Sequence, residues 1–249
     1  MGGSLLAQTS AGTLAGLVRD SAGSAIPEAV VTVTNTQTNV SSRLVTDASG
    51  SYFVPGVVPG IYSVSCEHPG FKRVVIEPVT VSVNQTVRVN LDLPVGDVAE
   101  SVTVQEYASL VQSDNATIGQ VVTTRQLTEL PLNGRDFRNL LSLNPGVTQP
   151  HDGIVTSASI RLNGFNDNFR LVSINGARPS SVSYLVDGVS MNEPLFQFPS
   201  QVPPIEAVDE FKLQNALYSA EFGMGVGQVS IAMKSGTNEL HGSLWDFLR

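Results

Sequence analysis

This 249-residue chain has one cysteine, 6% aromatic residues, 14% charged residues and no long apolar run. The lone Cys66 excludes an intrachain disulfide and a cysteine zinc site. It stands in the alternating run Tyr62-Ser-Val-Ser-Cys66, in phase with Tyr62 and Val64, which predicts a small buried side chain. No stretch reaches the roughly 18 apolar residues that a spanning helix needs. Lys plus Arg total 14 against 22 Asp plus Glu, a formal charge of -8, which disfavours nucleic acid and anionic lipid surfaces as partners. A charged fraction well below the roughly 25% of ordinary soluble domains suits an extracytoplasmic, β-rich protein.

The usual chemistry is missing too. His68, His151 and His241 lie far apart, and no histidine pairs with another four residues on, so the helical zinc-protease motif is absent. There is no G-x-S-x-G elbow and no phosphate-binding G-x-x-x-x-G-K-[ST] loop. Asp20 and Asp47 each open an Asp-x-x-Gly turn but lack the further oxygen ligands of a calcium loop, so each is expected to bond its own turn backbone. Gly223-Met-Gly-Val-Gly227 precedes a strand and is expected to allow a close backbone approach or a bend. Glu206, Asp209 and Glu210 cluster on a probable helical turn; without a visible cleft they read as a solvated face. No catalytic, cofactor or metal residue is assigned, and an enzyme is not expected.

What is present is alternation. Seven short runs are predicted as strands: Leu14–Val18, Ala29–Thr34, Ser51–Val54, Ile61–Ser65, Val74–Ile76, Val79–Val83 and Val87–Leu93. Seven strands in about eighty residues, parted by Gly and Pro turns, predict a β-sandwich. Pro94-Val-Gly96 breaks the pattern, and Glu100-Ser-Val-Thr-Val-Gln105 follows as an exposed extended piece. The stretch Thr128–Val147, TELPLNGRDFRNLLSLNPGV, differs from the rest. Phe137, Leu140 and Leu141 share one helical face, predicting a two-turn helix from about Arg135 to Leu143 that must pack on something else. Beyond it, Asn163-Gly164, Asn175-Gly176 and Asp187-Gly188 predict tight turns in a small sheet. Ile205–Leu213 reads as a helical turn merging into a strand, so the second region is α+β.

These residues carry a family resemblance. Gly16-Leu-Val-Arg-Asp-Ser-Ala-Gly23, Thr46-Asp-Ala-Ser-Gly-Ser-Tyr52, Pro59-Gly-Ile-Tyr62 and Pro69-Gly-Phe71 resemble the carboxypeptidase regulatory-like domain. That resemblance implies a transthyretin-like or Ig-like seven-strand sandwich, of the carbohydrate-binding-like fold. Leu130-Pro-Leu-Asn-Gly-Arg-Asp-Phe137, Leu143-Asn-Pro-Gly-Val147, Ile174-Asn-Gly-Ala-Arg178, Leu185-Val-Asp-Gly188, Val208-Asp-Glu-Phe-Lys212, Tyr218-Ser-Ala-Glu-Phe-Gly223 and Lys234-Ser-Gly-Thr-Asn238 resemble the plug of TonB-dependent outer-membrane receptors in the Oar-like form.

The expected organisation is mainly β. Residues 1–12 form a signal-peptide remnant or disordered terminus, 13–93 the sandwich, 94–106 a linker, 107–241 the plug and 242–249 the start of a first barrel strand. The resemblance implies a fragment of a longer receptor whose barrel of about 22 strands lies outside this chain. It further implies the outer membrane as location, the periplasmic C-terminal domain of TonB as partner, and an extracellular ligand that the sequence leaves unidentified. Glu100, Ser101, Val102, Thr103 and Val104 form the candidate TonB box, with an ordinary first plug strand as the alternative. Asn163, Phe165, Asn166, Asn168 and Arg178 are the candidate ligand-facing loop residues. A secreted carbohydrate-binding or adhesive module is the rival reading, to be expected if exposed aromatics line one face of the sandwich.

Overall fold

The computed structural model describes residues 11–96, 101–104, 118–123, 126–127, 137–148, 172–178, 181–194, 199, 203–216, 225–240 and 242. The chain divides into two compact units, one built on residues 13–81 and 86–111, the other on 82–85 and 112–234.

The first unit holds β1 (Gly12–Asp20), β2 (Val30–Asn35), β3 (Ser41–Val45), β4 (Ser51–Val57), β5 (Gly60–Glu67), β6 (Arg73–Val81), β7 (Thr86–Arg88), β8 (Leu91–Leu93) and β9 (Ser101–Val104). One sheet runs β4-β1-β7, with β8 also on β1, and the other runs β3-β2-β5-β6-β9. The strands obey the period of two that the sequence shows. Leu14, Gly16 and Val18 of β1, Val31 and Val33 of β2, Tyr62, Val64 and Cys66 of β5, and Val74, Ile76, Val79 and Val81 of β6 all turn inward. A fully buried Val or Leu is worth about 1.5–3 kcal/mol, so this interleaved core dominates the stability of the sandwich. Burial also pushes the Cys66 thiol up to about 12, with Glu67 adding to it, as suits a packing residue.

The strand boundaries differ from expectation in three places. Val74–Ile76 and Val79–Val83 are one strand, β6, ending at Val81. Val87–Leu93 splits into β7 and β8, because Val89 N–H turns to Ala15 O (2.8 Å) and the Asn90 side chain accepts from Leu17 N–H (3.1 Å). β3 escaped the sequence pattern because its residues, Ser-Ser-Arg-Leu-Val, are largely exposed and carry no alternation.

Both Asp-x-x-Gly turns close on themselves. Asp20 Oδ1 accepts from Ala22 and Ser24 N–H, and Asp47 Oδ1 from Ser49 and Ser51 N–H and from Ser49 Oγ. The Ser49 hydroxyl leads the set that holds the Asp47 carboxyl below its ordinary value. One glycine is required for another reason. A Cβ at Gly16 would lie 1.8 Å from Val89 O and 2.7 Å from Tyr52 Cε1. That is the spot where the Tyr52 hydroxyl donates to Val89 O at 2.6 Å.

The second unit contains β10 (Ile118–Thr123), the one-turn helix α1 (Arg138–Leu141), β11 (Val147–Thr148), β12 (Ser173–Ile174), β13 (Val182–Val186), β14 (Val189–Ser190), a 3-10 turn (Ile205–Ala207), β15 (Val208–Ala216) and β16 (Gly227–Met233). Its main sheet runs β10-β15-β16-β13-β14, with β11 and β12 paired separately. Only β13 and β16 are parallel neighbours in it. Phe137, Leu140 and Leu141 pack into one core with Ile174, Phe211, Leu213, Val229 and Ile231. Phe137 meets Phe211 with ring centroids 5.3 Å apart.

The helix is a single turn instead of the expected two. Leu143 N–H bonds to Leu140 O and Asn144 N–H to Leu141 O, three residues back, so the chain tightens toward Gly146 at once. Asn175-Gly176 and Asp187-Gly188 make their tight turns with paired positive φ of 52° and 74°, and 47° and 84°; Asn163-Gly164 lies outside the described residues. Gly227 meets the expectation of close approach, since a Cβ there would sit 2.3 Å from Ile174 Cδ1.

Gly16→Ala is expected to lower the stability of the sandwich by about 1–3 kcal/mol, the usual cost of forcing an atom into a filled core. The urea midpoint should fall with the m-value unchanged.

Candidate functional site

The segment after β8 follows one strand edge. Lys72 N–H donates to Pro94 O (2.9 Å), Gly96 N–H to Gly70 O (3.1 Å), and Phe71 and Val95 form an antiparallel bridge. Further along, β9 runs parallel to β6, with Ser101 opposite Arg73, Val102 opposite Val74, Thr103 opposite Val75 and Val104 opposite Ile76. Of the candidate box, Ser101, Val102, Thr103 and Val104 are therefore the end strand of the sandwich sheet, and Glu100 lies outside the described residues. The alternative of a first plug strand does not hold for these four residues, since β9 pairs with β6 and not with the β10–β16 sheet. The reason is visible in the register. The backbone of Val102 lies in register with the buried Val74, and that of Val104 with the buried Ile76.

The candidate ligand-facing residues Asn163, Phe165, Asn166 and Asn168 lie outside the described residues. Arg178 is exposed just past the Asn175-Gly176 turn, and its carbonyl accepts from Ser181 N–H at 2.9 Å.

A third feature was not read from the sequence. Phe211 and Leu213 of β15, with Val229 and Ile231 of β16, face the apolar core. The alternate residues Glu210, Lys212 and Gln214, with Gln228 and Ser230 in register beside them, lie on the opposite face and are buried as well. The turn Ser82–Gln85, part of the same unit, supplies their partners. Glu210 Oε1 accepts from Val83 N–H, Lys212 Nζ donates to Asn84 O (2.9 Å), and Asn84 Nδ2 donates to Ser230 Oγ (2.7 Å). Gln228 Nε2 also donates to Ser230 Oγ at 2.8 Å. The side-chain oxygens of Gln214 and Gln228 are buried with no partner among the described residues.

The acidic cluster thus needs correcting. Asp209 and Glu206 are half-buried, but Glu210 is buried and hydrogen-bonded, not part of a solvated face. Burial pushes the Glu210 carboxyl above its ordinary value, opposed by the Val83 hydrogen bond and reinforced by Asp209. Burial also pulls the Lys212 ammonium below its ordinary value against the pull of Glu210. Strand alternation marks 210, 212 and 214 as one face, but a polar alternate face is the usual sign of solvent, so their burial gave no signal. The arrangement is a buried polar layer, hydrogen-bonded at Glu210, Lys212 and Ser230 and left open at the Gln214 and Gln228 side-chain oxygens among the described residues. Among the described residues no group of three or more His, Cys, Asp or Glu could hold a metal ion, and no helix is long and apolar enough to cross a membrane.

Comparison with known proteins agrees with this two-part architecture. Residues 13–94 match the family model of the carboxypeptidase regulatory-like domain, and residues 111–228 that of the TonB-dependent receptor plug domain. The chain is 31% identical over 98% of its length to the TonB-dependent transporter Oar of Myxococcus xanthus, and spans 22% of that protein. Among solved structures, the outer membrane transporter YddB from Escherichia coli matches 47% of this chain and 17% of its own, at 18% identity and a TM-score of 0.38. The siderophore receptor PirA from Pseudomonas aeruginosa matches 48% of this chain and 19% of its own, at 21% identity and a TM-score of 0.32. The class is a regulatory-like sandwich joined to a receptor plug. The two parts match the carboxypeptidase regulatory-like and receptor-plug family models in that order, and the chain is similar over nearly its whole length to the Oar transporter.

The buried carboxyl makes a pH prediction. A native pKa raised above 4.5 means that the folded chain keeps the Glu210 proton while the unfolded chain loses it. Its contribution to stability is therefore fully present below pH 4.5 and is lost as pH rises through the folded value. Glu210→Gln keeps an acceptor for Val83 N–H without the charge. The melting temperature of the wild-type chain minus that of the variant is expected to fall as pH rises from 4.5 toward neutrality.

Proposed function

We propose that this chain is the N-terminal, gating portion of a TonB-dependent transporter of the outer membrane. In this reading the plug, about 107–241, fills a barrel of about 22 strands and gates ligand uptake. The sandwich, 13–93, is a periplasm-facing accessory domain, and 242–249 leads into the first barrel strand. Asn163, Phe165, Asn166, Asn168 and Arg178 face the incoming ligand. Glu100, Ser101, Val102, Thr103 and Val104 are the TonB box, an extended segment that recruits the TonB C-terminal domain by strand addition.

The observation that carries the reading is the plug match over 111–228, which includes most of the sheet of the second unit and its packed helix. The similarity to Oar over nearly the whole chain supports the same order of parts. A sugar-binding role for the sandwich finds less support. The hydroxyls of Tyr52 and Tyr62 donate to Val89 O and Val58 O from buried rings, so neither ring is a stacking platform. Phe53 is exposed, but one ring does not make a binding face. The comparisons point to a transporter and not to an enzyme.

Added to a plugless receptor barrel of the Oar type in a planar bilayer, the chain is expected to lower the open-barrel conductance. Unchanged conductance at saturating protein counts against the plug role. A synthetic peptide of residues 98–106 is expected to bind the TonB C-terminal domain in calorimetry. Absence of binding at millimolar peptide removes the box assignment and leaves the plug assignment standing.

A further inference from the structure

We propose that the turn Ser82–Gln85 is a latch on the polar face of the β15–β16 sheet, which opens locally while the apolar cores stay closed. The proposal stands on the hydrogen bonds of the second unit and does not depend on the transporter reading.

The turn is built to keep its shape when it parts from the sheet. Gln85 N–H donates to Ser82 O (3.2 Å) and Ser82 N–H donates to Gln85 Oε1 (3.0 Å), so the four residues close on themselves. Asn84 takes the left-handed φ of 48° that its short polar side chain tolerates. Val81 and Val87, the residues just outside the turn, are buried in the sandwich core and pin its two ends. Turn and sheet therefore separate as two preformed surfaces.

What holds them together is polar. Val83 N–H on Glu210, Lys212 Nζ on Asn84 O and Asn84 Nδ2 on Ser230 Oγ are the three bonds across the layer. Val83 is fully buried yet belongs to neither apolar core, so the turn is seated by this layer and not by core packing. Water can take over a hydrogen bond that opens, whereas an exposed apolar core finds no such substitute. The layer is also opposed from within. Register sets Gln214 opposite Gln228, two residues along from Lys212 opposite Ser230, and both glutamine side-chain oxygens are buried with no partner among the described residues. A buried acceptor without a donor disfavours the closed state, and entry of water relieves it. Opening confined to this layer is thus the least costly excursion the sheet has.

The test labels the full chain at two side chains. Acylation of Lys212 Nζ by a succinimidyl ester reads the layer, because Lys212 is buried, and the exposed Lys234 is the reference amine. Alkylation of the buried Cys66 by iodoacetamide reads the sandwich core, and amide exchange along β15 and β16 reads the core of the second unit. Lys212 is expected to react at least about tenfold more slowly than Lys234, as for an open state populated about one part in ten or less. Its reaction is expected to finish while Cys66 is unalkylated and the β15–β16 amides are protected. Asn84→Gly keeps the left-handed backbone and removes the donor to Ser230. Ser230→Ala removes the acceptor and leaves the turn itself unaltered. Each is expected to speed Lys212 acylation by about two- to tenfold, the loss of one hydrogen bond, with Lys234 and Cys66 unchanged.

Equal reactivity of Lys212 and Lys234 in the unsubstituted chain means that the layer is not closed and overturns the latch. Reaction of Lys212 only in step with Cys66, or with exchange along β15 and β16, means that turn and core open together and overturns it as well. So does an unchanged Lys212 rate in both variants.

Discussion

A strand at the end of a sheet leaves a row of N–H and C=O groups that must bond to something, and in this chain the outer edge of β6 meets that need with the chain's own continuation. Pro94 to Gly96 bond to Gly70–Lys72, and Ser101–Val104 complete the row. The sandwich therefore extends beyond Leu93, where the sequence pattern first breaks. Edge strands are otherwise liable to pair with foreign chains. Here the edge is covered by the segment that follows the sandwich strands.

Much of the fold was legible because strands and turns leave local marks. The alternation in Leu14–Val18 and Tyr62–Cys66 predicted which side chains turn inward, and the two Asp-x-x-Gly turns bond as their sequence implies. The errors have local causes as well. β3 carries polar residues on both faces, so nothing in Ser41–Val45 distinguishes it from a loop. The break at Val89–Asn90 depends on Ala15 and Leu17, about seventy residues away in sequence, and no window along the chain contains that information.

The candidate site was legible in part. Family resemblance singled out Ser101–Val104, and alternation showed it as extended, but its pairing partner is a matter of long-range register. Burial of Glu210 and Lys212 was hidden for a different reason. A polar alternate face has the same appearance in sequence whether it meets water or a matching polar turn, and only Val83 and Asn84 distinguish the two cases. The sheet of the second unit thus has two unlike faces, one held by apolar packing around Phe137 and Phe211, the other by hydrogen bonds.

The turn after β13 shows how narrowly a single position can be constrained. Asp187 holds a positive φ of 47°, donates its N–H to Ile231 O at 2.9 Å, and accepts from Met233 N–H through Oδ1 at 3.1 Å. One residue therefore shapes the β13–β14 hairpin and fastens it to β16. Among the twenty side chains, only asparagine shares both the tolerance of left-handed backbone and an acceptor at the same reach. Any other side chain at this position would strain the turn or leave Met233 N–H without its acceptor, whereas Val189, two residues on, is exposed.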